Sequence, residues 1–288
     1  ANNNTALGYS ALSANTTGTA NVALGQGALL ANTTAGDNVA IGLNALTANT
    51  TGDRNVAVGS YSLDANTTGD RNVAVGYGAL TSLNTSGDLY NVAIGYEALQ
   101  ALSTGTYNSA VGYASLYACT TASYNTAFGD SALAANTTGA NNTAVGSRAL
   151  DANTTASENT ACGDNSLGAN TTGANNTALG KGALLANTTA NNNTAVGHRA
   201  LEANSTGAQN TSVGKNSSIS MTTGNYNVAV GYVALQDNTT GSLNTAIGSH
   251  ALDSNTTGSY NIALGYEAAF STTECTGHVA IGYRAMYS

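Results

Sequence analysis

Asn142-Thr-Ala-Val-Gly146-Ser-Arg-Ala-Leu150-Asp-Ala-Asn153-Thr-Thr-Ala-Ser-Glu158 decides the fold, because the rest of the chain writes it again and again. Taking the glycine as position 0, the unit runs Asn at −4, Thr or Val at −3, Ala at −2, an aliphatic residue at −1 and Gly at 0. Two variable positions follow. Ala then stands at +3, Leu at +4, usually Ala at +6, Asn at +7, Thr at +8 and +9, and often Gly at +10. The marker glycine recurs at 8, 25, 42, 59, 76, 95, 112, 129, 146, 163, 180, 197, 214, 231, 248, 265 and 282. Every spacing is 17 residues except the 19 from Gly76 to Gly95, where two residues are inserted within 81–90. A short period sustained over a whole chain is the mark of a solenoid, in which each unit buries its apolar side against its neighbours.

Comparing the seventeen copies shows what each position tolerates. No charge occurs from −4 to 0, or at +3, +4, +7 or +8. Charges gather at +1 (Asp130, Lys181), +2 (Arg148, Glu267), +5 (Asp64, Asp151) and −5 (Asp37, Arg71). An unpaired buried charge is expensive, so the charge-free positions are predicted to be buried and the charged ones to face water. Positions −4 to 0 read as a short strand. Leu at +4 and Ala at +6 suggest a second strand or extended arm, and Asn-Thr-Thr-Gly is turn chemistry. The expected fold is all-β: a parallel β-solenoid, a flattened roll of seventeen coils with one 17-residue unit per coil, forming a single domain over 1–288 without capping domains. Coils would stack at roughly 4.8 Å, giving a rod on the order of 80 Å. Identical positions would lie in columns: aliphatic −1 and Leu +4 in the core, and asparagines at −4 as an amide ladder.

Side chains of a strand alternate between faces, so −3 and −1 share one face and −4, −2 and 0 the other. Both are free of charge. With the aliphatic face turned to the core, the small Ala and Gly face is expected to pack laterally against another chain.

The string Asn-(Thr/Val)-Ala-(Val/Ile)-Gly-x-x-Ala resembles the head repeats of the YadA-like trimeric autotransporter adhesins. With Asn-Thr-Thr-Gly added, it is similar to repeats of phage tail-fibre-type proteins. The resemblance covers essentially the whole chain. It implies a left-handed parallel β-roll, three chains side by side, and an extracellular, cell-surface or virion setting. The unit is longer than the usual head repeat, and no coiled-coil stalk or membrane anchor accompanies it.

Composition excludes several functions. Charged residues are 8% of the chain, the net charge is −8, and Pro and Trp are absent. No basic stripe is available for nucleic-acid phosphates, and no apolar run reaches the ~20 residues of a membrane helix. Catalysis needs unlike groups converging on one point, whereas a repeat spreads like groups evenly. No enzyme, cofactor or metal site is therefore expected. His198, His250 and His278 lie coils apart. Cys119 and Cys275 would be roughly 40 Å apart at strand spacing, far beyond disulfide reach. Cys162, at −1, reads as a small core residue, although equal-numbered cysteines of adjacent chains could meet.

Two surface features qualify as candidate sites. Asn15, Asn32, Asn49, Asn66, Asn136, Asn153, Asn170, Asn187, Asn204, Asn238 and Asn255, all at +7, each begin an Asn-x-Thr sequence. They are N-glycosylation acceptors or a stacked turn ladder. Tyr77, Tyr96 and Tyr113 at +1, with Tyr90, Tyr107 and Tyr124 at −5, form a patch suited to sugar or protein recognition, or to aromatic packing between coils. Self-association is the expected partnership, lateral as a homotrimer or end to end, since neither terminus carries a divergent cap. Surface glycans are a further candidate partner. The function expected is that of a structural or adhesive fibre segment. The alternative is an ice- or polysaccharide-binding solenoid using its Thr and Tyr columns.

Overall fold

The structure is a computed structural model that describes residues 3–287. Contacts divide the chain into two units, Ala1–Asn142 and Thr143–Ser288. Each is a stretch of parallel β-solenoid, and there is no helix among the described residues. Every coil contributes a three-residue strand at −3 to −1. In the first unit these run from Thr5–Leu7 to Thr126–Phe128, and in the second from Thr143–Val145 to Val279–Ile281. Pairing is parallel and in register with the repeat: Val39 lies beside Val56, Ala40 beside Ala57, and Thr177 beside Thr194. The insertion is absorbed at a corner, where Gly69–Asp70 and Gly87–Asp88 pair as an extra two-residue ladder.

Among the described residues, the second strand or extended arm expected at +4 to +6 does not form. Positions 0 to +6 form a run of turns instead. Within it +2 and +4 are left-handed, as is −5: Arg148 has φ 52°, Leu150 53° and Glu158 63°. Leucine takes this conformation at +4 in coil after coil, although it costs a side chain of this kind about 1–2 kcal/mol. Burial of the leucine and hydrogen bonds between coils offset that cost. The Leu150 N–H donates to the Ser166 carbonyl at 3.0 Å, and the Asn165 N–H to the Ser147 carbonyl at 3.0 Å.

The interior differs from expectation in one decisive respect. The residues turned inward are Ala at −2 and Asn at −4, joined by Ala +3, Leu +4 and Asn +7; Ala144, Asn142, Ala149, Leu150 and Asn153 are all fully buried. The aliphatic −1 residues face outward, with Val145 40% exposed. The strand's two faces are thus reversed from the prediction, and Ala −2 meets the interior rather than a second chain. Cys162 at −1 is corrected with them: it is exposed, not a core residue. The reason is width. The left-handed turns fold each coil tightly, and Leu +4 already fills the space opposite the strand, leaving room for a methyl group at −2. Glycine at 0 follows from the same compactness. Gly146 has φ 135°, and a Cβ there would lie 2.7 Å from the Gly163 carbonyl.

Candidate functional surface

The asparagines at −4 and +7 organise the interior. The Asn38 N–H donates to Asn21 Oδ1 at 3.1 Å, and the Asn55 N–H to Asn38 Oδ1 at 2.8 Å, so within each unit the −4 asparagines form an amide ladder. At +7 the side chains bond directly: Asn49 Nδ2 donates to Asn32 Oδ1 and Asn66 Nδ2 to Asn49 Oδ1, both at 3.1 Å. The two ladders converge on the carbonyl of position +10. Asn38 and Asn49 both donate to the Gly52 oxygen at 2.9 Å, and in the second unit Asn193 and Asn204 both donate to Gly207 at 2.8 Å. Of the eleven asparagines in Asn-x-Thr sequences, Asn15 is half-buried and the other ten are buried. A glycan on Nδ2 would have to replace these hydrogen bonds inside the coil.

The +7 column changes character in places. Leu83, Leu102 and Cys119 occupy it in three successive coils, Met221 in another, and Thr272 in another; all are buried. Burial pushes the Cys119 thiol up to about 11, so it is held neutral. Where an asparagine run ends, its last Oδ1 has no donor from the following coil. Asn204 Oδ1, followed by Met221, and Asn255 Oδ1, followed by Thr272, are both buried without a hydrogen-bond partner. The run ending at Asn66 avoids this, because the Gly69 N–H turns in to donate at 3.1 Å. In the Met221 coil the usual leucine is Ser218, so the long Met side chain stands where the leucine's bulk is missing.

The threonines divide their labour. At +8 the hydroxyls are engaged: Thr50 donates to the Thr67 carbonyl and Thr171 to the Thr188 carbonyl, both at 3.0 Å. At +9 they stand exposed in a row within each unit, apart from half-buried Thr68 and Thr85.

The six tyrosines singled out by the sequence form two columns. In the +1 column the Tyr77 and Tyr96 rings are 5.3 Å apart, and Tyr96 and Tyr113 5.6 Å. In the −5 column Tyr90 and Tyr107 are 5.2 Å apart, and Tyr107 and Tyr124 5.1 Å, the last pair within 3° of parallel. All six are exposed at their edges while their faces are turned to one another. A sugar would find ring faces only at the column ends. Arg71 reaches this region, bonding Asp88 and the Tyr90 hydroxyl.

The remaining feature was missed by the sequence reading: the outward face of the strand column. Phe128 is 44% exposed, Leu179 38% and Ile247 42%; Leu24 and Ile94 are exposed beside half-buried Val at −3, and in the Gly265 coil the −3 residue itself, Ile262, is exposed. In each unit this makes a charge-free apolar stripe. The histidines stay apart. His250 Nδ1 lies 2.7 Å from Asp253 Oδ2, while His278 takes an asparagine position and its Nδ1 is buried without a partner. Among the described residues there is no pocket, no group of three or more metal-ligating side chains, and no helix long and apolar enough to cross a membrane. No protein-family model and no curated protein matches this sequence.

Proposed function

We propose that the chain is a structural segment of an extracellular adhesive fibre, stiffened by coil stacking and assembled by lateral association of copies of itself as a homotrimer. One observation carries this reading. Within each unit the outward strand face carries at −1 a row of Val, Ile and Leu side chains, with Phe128 in the first unit and Cys162 in the second, unbroken by charge. Exposed apolar surface that accumulates over many coils has a use, and its usual use is association. The period suits such an interface, since a second chain with the same coil spacing would meet equivalent residues at every coil. The likeness of the repeat to adhesin heads and tail fibres supports the same reading and the extracellular setting. The ice- or polysaccharide-binding alternative draws less support, because the +8 hydroxyls are engaged with carbonyls and only the +9 row is free.

Sedimentation equilibrium over a range of concentrations tests the proposal. A trimer is expected, and Leu179→Lys together with Ile247→Lys should dissociate it while leaving the β-rich circular dichroism spectrum unchanged. A monomer at every concentration would refute the lateral arm of the reading.

A further inference from the structure

Five pairs of exposed tyrosines are stacked between successive coils: Tyr266 with Tyr283 at 5.7 Å, and four pairs close together in the first unit with ring centres 5.1–5.6 Å apart. The four lie between Tyr77 and Tyr124. They sit in the coils where the interior +7 ladder is interrupted by Leu83, Leu102 and Cys119. We infer that these columns are sites of oxidative cross-linking, at which a one-electron oxidant of the haem-peroxidase and hydrogen-peroxide class joins neighbouring coils through dityrosine bonds.

The chemistry needs two phenols held close, open to the oxidant and free to tilt. Each phenol loses one electron and its hydroxyl proton, giving two tyrosyl radicals. The radicals couple through the ring carbons ortho to oxygen, forming one carbon–carbon bond. Each ring then regains aromaticity by moving the ortho hydrogen to its oxygen. The balance is two electrons and two protons lost by the protein, taken up with one hydrogen peroxide to yield two waters.

The fold supplies the other requirements. Position +1 and position −5 each repeat at the coil spacing, so ring is held beside ring without a diffusional encounter, the condition under which coupling within a chain outruns coupling between chains. The edges that carry the ortho carbons and the hydroxyls face solvent, while the faces stack. Three tyrosines in line also let a radical formed on one ring pass to its neighbour, so two radicals need not start on adjacent residues. Each bond would close a loop of one coil and tie the segment that lacks the +7 amide ladder. This inference is independent of the fibre reading, since it requires one chain only.

The molecule contains its own controls. Tyr9, Tyr226 and Tyr260 are exposed but have no stacked tyrosine neighbour. Dilute protein treated with horseradish peroxidase and limiting hydrogen peroxide, then digested and mapped by mass spectrometry, should give dityrosine peptides joining Tyr77–Tyr96, Tyr96–Tyr113, Tyr90–Tyr107 and Tyr107–Tyr124, and likewise Tyr266–Tyr283. Dityrosine fluorescence should appear without covalent dimers on a denaturing gel. Tyr107→Phe keeps the stack but removes the phenol central to the −5 column. It should abolish both links of that column and leave those of the +1 column at their original yield. The inference is overturned if no dityrosine forms, if it forms only between chains, or if Tyr9, Tyr226 and Tyr260 couple as readily as the stacked residues.

Discussion

Two runs of coils in the first unit solve the same interior problem differently. From Asn32 to Asn66 the +7 position is an amide, bonded to the coil before it and to the +10 carbonyl. From Leu83 to Cys119 it is apolar; Asn91 alone of the two columns serves the Gly105 carbonyl, and at Ala122 only a weak Cys119 thiol contact at 3.9 Å joins the Asn108 donor. Both solutions bury the side chain completely. Asparagine and leucine have nearly the same branched shape, so either fits the space. The cost lies at the boundary. The ladder is directional, each Nδ2 pointing to the coil before it, so a run can begin freely but ends on an unmet oxygen. Gly69 answers that oxygen after Asn66; nothing answers it after Asn204 or Asn255.

If matching to neighbours matters more than polarity itself, a foreign residue should be costly in either run. Asn170→Leu removes the donor to Asn153 Oδ1 (3.1 Å), the acceptor of Asn187 Nδ2 (2.8 Å) and one of the two donors to Gly173. It should cost about 3 kcal/mol in chemical denaturation, the penalty of orphaned buried groups. Leu102→Asn should also destabilise, although it restores the commonest residue of that position. If Leu102→Asn were neutral, the boundary argument would fail.

A smaller effect, of opposite sign, is expected where the second unit's ladder breaks. Met221→Asn with Ser218→Leu would extend the ladder through Asn238, satisfy Asn204 Oδ1, and remove the unpartnered Ser218 hydroxyl. The pair should stabilise by roughly 2 kcal/mol. Each single change should be neutral or harmful, because Met221→Asn leaves space unfilled and Ser218→Leu overfills it. A double-mutant cycle measures this coupling.

The smallest effect concerns the +5 column, where the two solutions are not in play. Burial, partly offset by backbone N–H donors and Arg148, holds the Asp151 carboxyl above its usual 3.8; burial raises Asp64 likewise. A raised carboxyl favours the folded state most when protonated. Its contribution is complete below pH 3.8 and is lost as pH rises through the folded value. Asp151→Asn should therefore raise the melting temperature at neutral pH by the equivalent of less than about 1 kcal/mol, since the group is partly solvated. The difference between variant and parent should close as pH falls below 3.8.

The period, the parallel in-register strands and the asparagine columns were legible in the sequence because each repeats in phase. Which face of the strand points inward was not, because tolerance to charge was the criterion. Tolerance to size is the better one in so narrow a coil. Position −1 accepts Val, Ile, Leu, Phe128 and Cys162, so it opens onto space. Position −2 accepts Ala in every copy except Ser212, so it is confined. The left-handed turns also left a trace, in Gly27, Asn44, Gly78, Asn165, Gly182 and Asn216 at +2, but Leu at +4 disguised the second such position. That leucine is held there by packing against local preference, which a reading of propensities does not detect. The outward stripe, on which the proposed assembly depends, was hidden by the same inversion of faces.

The one-way ladder also bears on how such a chain can change its length. Excising one unit between Asn153 and Asn204 joins asparagine to asparagine, and every donor finds the acceptor its predecessor had. Duplicating a unit there is equally silent. The same event across Asn204 and Met221 multiplies or relocates an orphan oxygen. Within an uninterrupted run, then, the number of coils is nearly free of energetic consequence, and selection on reach can act without disturbing the interior.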